Sequence, residues 1–153
     1  MALYLVQHGR SFAKEQDAEQ GLTPEGVAEV ERIANVAANY GVRVSRIQHS
    51  GKKRALQTAE IYAAALKPAK GVEPSSGLDP LDEVTQLAAQ LDSTENLMLV
   101  GHLPFMERLA SYLITGSTET LVFKFQNGGT VCLDRDAEKN SWFIKWALMP
   151  KVG

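Results

Sequence analysis

Leu3-Tyr4-Leu5-Val6-Gln7-His8-Gly9 opens the chain with a continuous apolar run that breaks off at a polar pair and a glycine. Such a run, with a β-branched member and an abrupt end, reads as a buried strand over Leu3 to Val6 that opens into a loop. Leu97-Met98-Leu99-Val100-Gly101-His102 repeats the pattern, again with a histidine beside a glycine at the break. In open α/β sheets the ligand crevice lies at the carboxyl ends of the strands. If both strands are central and parallel, His8 and His102 meet there although 94 residues separate them. Gly9 and Gly101 are expected to let the backbone approach a ligand closely.

Working outward, Thr23 is a good N-cap and Pro24 suits the first turn of a helix. Val27, Val30, Ala34 and Ala37 recur at helical spacing, and Gly41 fits the position just past the helix end. Arg46 to His49 reads as a short strand. A second helix is expected over about 52–66, with Ser50 as its cap, Ala55, Ala59, Tyr62 and Leu66 on one face, and Pro68 as its stop. Residues 71–95 hold six acids and no Lys or Arg. They are read as a loop, then a short helix from Leu81 to Leu91. Pro104 starts another helix, carrying Phe105, Leu109, Tyr112 and Leu113. The remainder reads as strands at Leu121–Phe125, Thr130–Leu133 and Trp142–Leu148, with turns at Asn127-Gly128-Gly129 and 134–141. Trp142 and Trp146 are placed on one face of the last strand.

The order β-α-β-α-(α)-β-α and then strands predicts an α/β fold: a three-layer sandwich, its central sheet mostly parallel, with helices on both faces and antiparallel additions at one side. The 153 residues suit a single domain spanning 1–153. Sixteen Lys+Arg against eighteen Asp+Glu leave a net charge of -2, which lacks the basic excess of a general nucleic-acid binder. One cysteine, Cys132, excludes an internal disulfide framework and a Cys-rich zinc site. No apolar run reaches the roughly 20 residues of a membrane helix. The opening Met-Ala-Leu-Tyr-Leu-Val lacks a signal peptide's basic region, so a cytoplasmic protein that binds no membrane is expected.

Lys52, Lys53 and Arg54 crowd the first turn of the second helix, where cations oppose the helix dipole. A helix start with added basic residues suits an anion. Lys52 and Lys53 read as solvated, whereas Arg54, beside Ala55 and Leu56, is the one expected to point inward. Ser50 is read as a helix cap, a phosphate donor, or both.

Four elements in order, Gln7-His8-Gly9-Arg10-Ser11, Leu22-Thr23-Pro24-Glu25-Gly26, Ser50-x-x-x-Arg54-Ala55-x-Gln57-Thr58-Ala59 and Gly101-His102-Leu103-Pro104, resemble the histidine phosphatase superfamily. Within it, the short chain and compact β tail resemble SixA-type phosphohistidine phosphatases. The resemblance implies a phosphoglycerate mutase-like fold and a phosphatase, hence a hydrolase, acting in signal transduction. His8 is implied as a transiently phosphorylated nucleophile, with Arg54 and His102 in the phosphate pocket. Gln7, Gly9, Arg10 and Ser50 complete the expected phosphate-binding set. No metal or organic cofactor is implied, and no metal-binding spacing such as H-E-x-x-H occurs. The implied partner is a phosphorylated histidine-containing protein, such as a phosphotransfer domain, with inorganic phosphate or a similar anion in the site.

One departure stands out: the family's first motif begins with Arg, and here that position is Gln7. Gln donates a hydrogen bond but carries no charge, so a slow enzyme is expected. Arg10, three residues on, is read either as a substitute reaching back or as a surface residue. Two further readings stay open: a phosphate-binding pseudoenzyme with little turnover, and a phosphatase of small phosphate esters. Asp79, Asp82 and Glu83 are taken as solvated, His49 as structural and Cys132 as packing.

Overall fold

The computed structural model describes residues 1–92 and 94–152. Along the chain run β1 (Leu3–Gln7), α1 (Pro24–Asn39), β2 (Arg46–His49), α2 (Lys53–Leu66), β3 (Val72–Pro74), α3 (Val84–Ala89), β4 (Leu97–Gly101), α4 (Phe105–Thr115), β5 (Thr130–Asp136) and β6 (Ser141–Leu148). One six-stranded sheet has the order β3-β2-β4-β1-β5-β6. β3, β2, β4 and β1 are mutually parallel; β5 and β6 add antiparallel strands at one edge.

The two apolar strands lie side by side at the centre, with Leu3 opposite Leu97 and Gln7 opposite Gly101. Their side chains alternate between two cores, as period-2 geometry requires. Tyr4, Val6, Met98 and Val100 pack with Val30, Ile33, Ala34, Ala55, Ala59 and Tyr62 of α1 and α2. Leu3, Leu5, Leu97 and Leu99 pack with α3 and α4 through Val84, Leu87, Phe105, Met106, Leu109 and Ala110. The result is the expected three-layer sandwich. The chain leaves β1 through α1 toward β2 and leaves β4 through α4 toward β5, in opposite directions across the sheet. The carboxyl ends of β1 and β4 therefore form a topological switch point.

Helix α1 starts as its sequence dictates: the Thr23 hydroxyl accepts from the Gly26 N–H at 3.0 Å, with Pro24 first in the helix. Helix α2 differs from expectation. Its N-cap is Lys52, without a side-chain cap bond, and Ser50 lies two residues earlier. Lys67, left-handed at φ 50°, closes α2 before Pro68.

Four other expectations need correction. Val72–Pro74 is a strand; it pairs only with β2, and an edge strand tolerates the proline and glutamate that disguised it. The short helix spans only Val84–Ala89. Leu121–Phe125 is not a strand. Both edges of β5 are taken, by β1 and β6, so this run instead lays Val122, Phe123 and Phe125 onto the core beside α4. Finally, Trp142 and Trp146 face opposite sides. The register steps from Leu133↔Ile144 to Cys132↔Trp146, so Lys145 is an extra residue, and a bulge reverses the alternation. Trp142 joins the α3/α4 core and Trp146 the α1/α2 core, where it meets Tyr4 and the buried Cys132.

Candidate active site

His8 leaves β1 one residue past its end, and its backbone N–H continues the ladder to Gly101 O at 2.9 Å. His102 follows β4 directly and is 2% exposed. Their rings meet at the switch point, with centroids 5.1 Å apart and planes at 53°. Each ring is oriented by a partner. His8 Nδ1 lies 2.7 Å from Gly9 O, a carbonyl that only accepts, so Nδ1 carries the hydrogen and Nε2 keeps its lone pair. His102 Nε2 lies 2.6 Å from the Ser50 hydroxyl, while its Nδ1 is buried without a partner among the described residues.

Burial, and then nearby positive charge, disfavour the charged form of both rings. Desolvation lowers the pKa of His8 below the usual histidine value, and Arg54 lowers it further, against an opposing contribution from the Gly9 hydrogen bond. His102 is pushed down to about 3, chiefly by desolvation and then by His8, Arg54 and Lys52. Both histidines thus sense Arg54, which stands in the first turn of α2 and is partly exposed. Among the described residues, no carboxylate lies within ion-pair distance of Arg54, whereas its basic neighbours are partnered: Lys52 with Asp79 at 3.9 Å and Lys53 with Glu19 at 3.3 Å.

The other expected site residues divide. Ser50 reaches the site through His102 and accepts from Lys52 N only at 3.4 Å, so its main engagement is with the histidine, not with the helix. Gln7 stands beside His8, and its carboxamide oxygen is buried without a partner among the described residues. Arg10 does not reach back; its guanidinium donates to Glu29 of α1 at 2.9 Å on a partly exposed surface. The Gly9 backbone is engaged within the protein, its carbonyl by His8 Nδ1. Its N–H donates to the Thr58 hydroxyl at 2.9 Å, and a Cβ there would meet Val30 at 2.7 Å. At Gly101 a Cβ would meet Met106 at 2.6 Å. Both glycines make room for side chains of the packed helices.

Three residues that support the site carry no role in the sequence reading. Buried Thr58 accepts from Gly9 N and donates to Arg54 O at 2.8 Å, joining the loop that carries His8 to the first turn of α2. Asn127 donates to His8 O at 2.9 Å, and the adjacent Gly128 N–H donates to Gln7 O at 2.8 Å. Tyr62, fully buried, donates to Gly128 O at 2.7 Å and so steadies that loop. Thr58 was detectable as the residue four after Arg54 on one helix face; Asn127 was hidden inside a turn signal. His49, read as structural, is buried and accepts from Gly51 N at 3.0 Å in the turn that leads into α2.

Asp79, Asp82 and Glu83 lie along a polar cleft that begins at Ser50 and continues past Ser75 and Gln86. Asp82 accepts from Asp79 N, and Glu83 caps α3 through Thr85. Among the described residues, no group of three or more His, Cys, Asp or Glu is placed to hold a metal ion, and no helix is long and apolar enough to cross a membrane.

The sequence model of the histidine phosphatase superfamily, branch 1, matches residues 3–84, which include His8, Ser50 and Arg54. An uncharacterized protein of Picosynechococcus sp. is 33% identical over 128 residues, covering 77% of this chain and 76% of its own. The protein histidine phosphatase SixA complexed with tungstate has the same fold, with a TM-score of 0.85 at 24% identity over 98% of this chain and 97% of that one. A structure from Agrobacterium tumefaciens named for phosphohistidine phosphatase SixA gives 0.78 at 27% identity, covering 97% of each chain. A mutant phosphoserine phosphatase from Entamoeba histolytica in complex with phosphoserine gives 0.75 at 15% identity, covering 98% of each. The matched model spans just over half of the chain, and the sheet brings the one remaining site histidine, His102, against its conspicuous His8: the chain belongs to the histidine phosphatase superfamily, branch 1.

Proposed function

We propose that the protein is a metal-independent phosphatase that removes phosphate from the phosphohistidine of a signalling protein through a phospho-His8 intermediate. The observation that carries this reading is the bond from His8 Nδ1 to Gly9 O, which leaves a neutral Nε2 lone pair opposite His102. A neutral imidazole nitrogen is a good phosphoryl acceptor near neutral pH. Nε2 attacks phosphorus, the bond to the leaving nitrogen breaks, and water then cleaves phospho-His8, returning the electron pair to Nε2.

Phosphoryl transfer spreads negative charge over the equatorial oxygens, so positioning and positive donors do most of the work. Arg54, with no carboxylate partner among the described residues, supplies a planar fork for two of those oxygens. Ser50 holds His102, and Thr58 and Asn127 fix the backbone on either side of the nucleophile.

A phosphohistidine substrate is favoured over an ester by the carboxylates near the site. Asp79, Asp82 and Glu83 are engaged in local bonds or with Lys52, and an alkoxide leaving group needs an acid far more than an imidazole does. The phosphoserine phosphatase fold neighbour supports ester hydrolysis as the second reading. The test is phosphate release, in the presence of a chelator, from a histidine-phosphorylated phosphotransfer domain against phosphoserine. Faster release from the phosphodomain supports the first reading; the reverse preference supports the second.

A further inference from the structure

We propose that this site takes its phosphoryl substrate in the singly charged, protonated state, and that Gln7 sets this choice. The proposal rests on the phosphatase reading of the same site and adds the charge state that the site selects.

The charges around the crevice come from every element packed there, including Asp82 and Glu83 along the cleft that begins at Ser50. The loop after β1 brings Arg10, neutralised by Glu29 of α1 at 2.9 Å. The start of α2 brings Lys52, 3.9 Å from Asp79 of the loop after β3, Lys53, 3.3 Å from Glu19, and Arg54, with no carboxylate at ion-pair distance among the described residues. The uncapped N-terminus of α2 adds about half a charge. Burial disfavours the charged form of His8 and His102. Gln7, immediately before the nucleophile, contributes no charge, and its buried carboxamide oxygen has no partner among the described residues. Among the described residues, one full cation, Arg54, thus stands unpaired at the site.

That count discriminates between anions. The cost of taking an anion out of water grows with the square of its charge, whereas its attraction to one cation grows only in proportion to the charge. A single unpaired guanidinium therefore favours a phosphoryl group with one net charge over the dianion.

The chemistry of an N-phosphorylated imidazole fits the same charge. Protonated on its free ring nitrogen, it carries one net negative charge. His8 Nε2 forms a bond to phosphorus, the substrate's P–N bond breaks, and its electron pair stays on the leaving nitrogen. The ring departs as neutral imidazole, keeping the proton it brought. Phospho-His8, with Nδ1–H still donated to Gly9 O, again carries one negative charge. The charge in the crevice stays constant through the transfer, and the protein supplies no acid. The unprotonated dianion would instead have to expel an imidazolate.

Inorganic phosphate and sulfate have nearly the same shape, but sulfate stays doubly charged while phosphate loses its second proton near neutral pH. Calorimetric titration of the full chain with each anion, between about pH 5 and about pH 8, tests the proposal. For the wild type, phosphate affinity is expected to fall about tenfold per pH unit above its second ionisation, with sulfate at least about tenfold weaker than phosphate at the acid end. Gln7→Arg should strengthen sulfate binding about tenfold or more and flatten the phosphate profile. Gln7→Met, neutral and of similar length, should keep the wild-type preference. Sulfate also controls for protein titration, because protonation of His8 or His102 would strengthen both anions together. Equal affinity for sulfate and phosphate, or a phosphate profile unchanged by Gln7→Arg in a folded protein, would overturn the proposal. Failure to bind either anion would overturn the phosphate-pocket reading, and this proposal with it.

Discussion

The Thr58 hydroxyl joins the two halves of the site: it accepts from Gly9 N, one residue past His8, and donates to the carbonyl of Arg54. A single buried side chain thereby sets the distance between the proposed nucleophile and the proposed phosphate anchor.

Thr58→Val keeps the shape and removes the hydroxyl, leaving the Gly9 N–H buried without an acceptor. An unsatisfied buried donor costs about 1–3 kcal/mol, so chemical denaturation should show a loss of that size, together with a lower kcat. An unchanged midpoint and unchanged kcat would mean that the threonine is packing alone.

Arg54→Ala should weaken phosphate binding by about tenfold or more, since a hydrogen bond to a charged group contributes about 1.5–3 kcal/mol. Lys53→Ala should have little effect, because Lys53 faces solvent beside Glu19. Equal, small losses at both positions would make the basic turn a solvated face.

Acid should destabilise the fold through its histidines. His8, His49 and His102 all have pKa values lowered by burial, while in the unfolded chain they return to about 6.5. As pH falls below about 6.5 the unfolded chain binds protons that the native state refuses, so unfolding free energy declines; above that pH these groups add no slope. The fully buried His102 alone sets a limit of about 1.4 kcal/mol per pH unit, down toward its folded value of about 3. His102→Gln should shallow this acid limb in urea titrations. A limb of the same steepness would assign it to other groups.

Asn127→Ala removes the donor to His8 O without touching Arg54. The expected result is a lower kcat with phosphate affinity within about twofold of wild type, because the anchor stays and the nucleophile loses its backbone support. A loss of affinity equal to the loss in kcat would place Asn127 in binding instead.

Chelation should leave turnover unchanged, as His8, Arg54 and Ser50 form the proposed site without a metal. Loss of activity with EDTA and recovery with a divalent ion would contradict the metal-free assignment.

The central frame was readable because the strongest local signals and the site coincide. Two apolar runs ending in His8 and His102 specify two buried strands, and parallel pairing then puts both histidines at one sheet end. The Thr23 cap follows from capping chemistry, whereas Ser50, expected to cap α2, instead meets His102. What stayed hidden depended on tertiary context. Leu121–Phe125 has strand composition but meets no free edge on β5, and the Lys145 bulge reverses a tryptophan pair that strict alternation places together. Gly9 and Gly101 signal close approach, yet only the packed structure shows that Val30 and Met106 are what approach. The partner of Arg10 is on another element, Glu29, so no local pattern told a reaching arginine from a surface pair.

The most direct test is to mix the purified protein with a histidine-phosphorylated phosphotransfer domain, quench within the first turnover at alkaline pH, and map the phosphate by mass spectrometry. The account predicts an acid-labile phosphoryl group on His8 that appears and decays during turnover, and its absence, along with turnover itself, in a folded His8→Ala protein. Phosphate release by His8→Ala at a rate near wild type, or a phosphoryl group trapped on another residue, would contradict it.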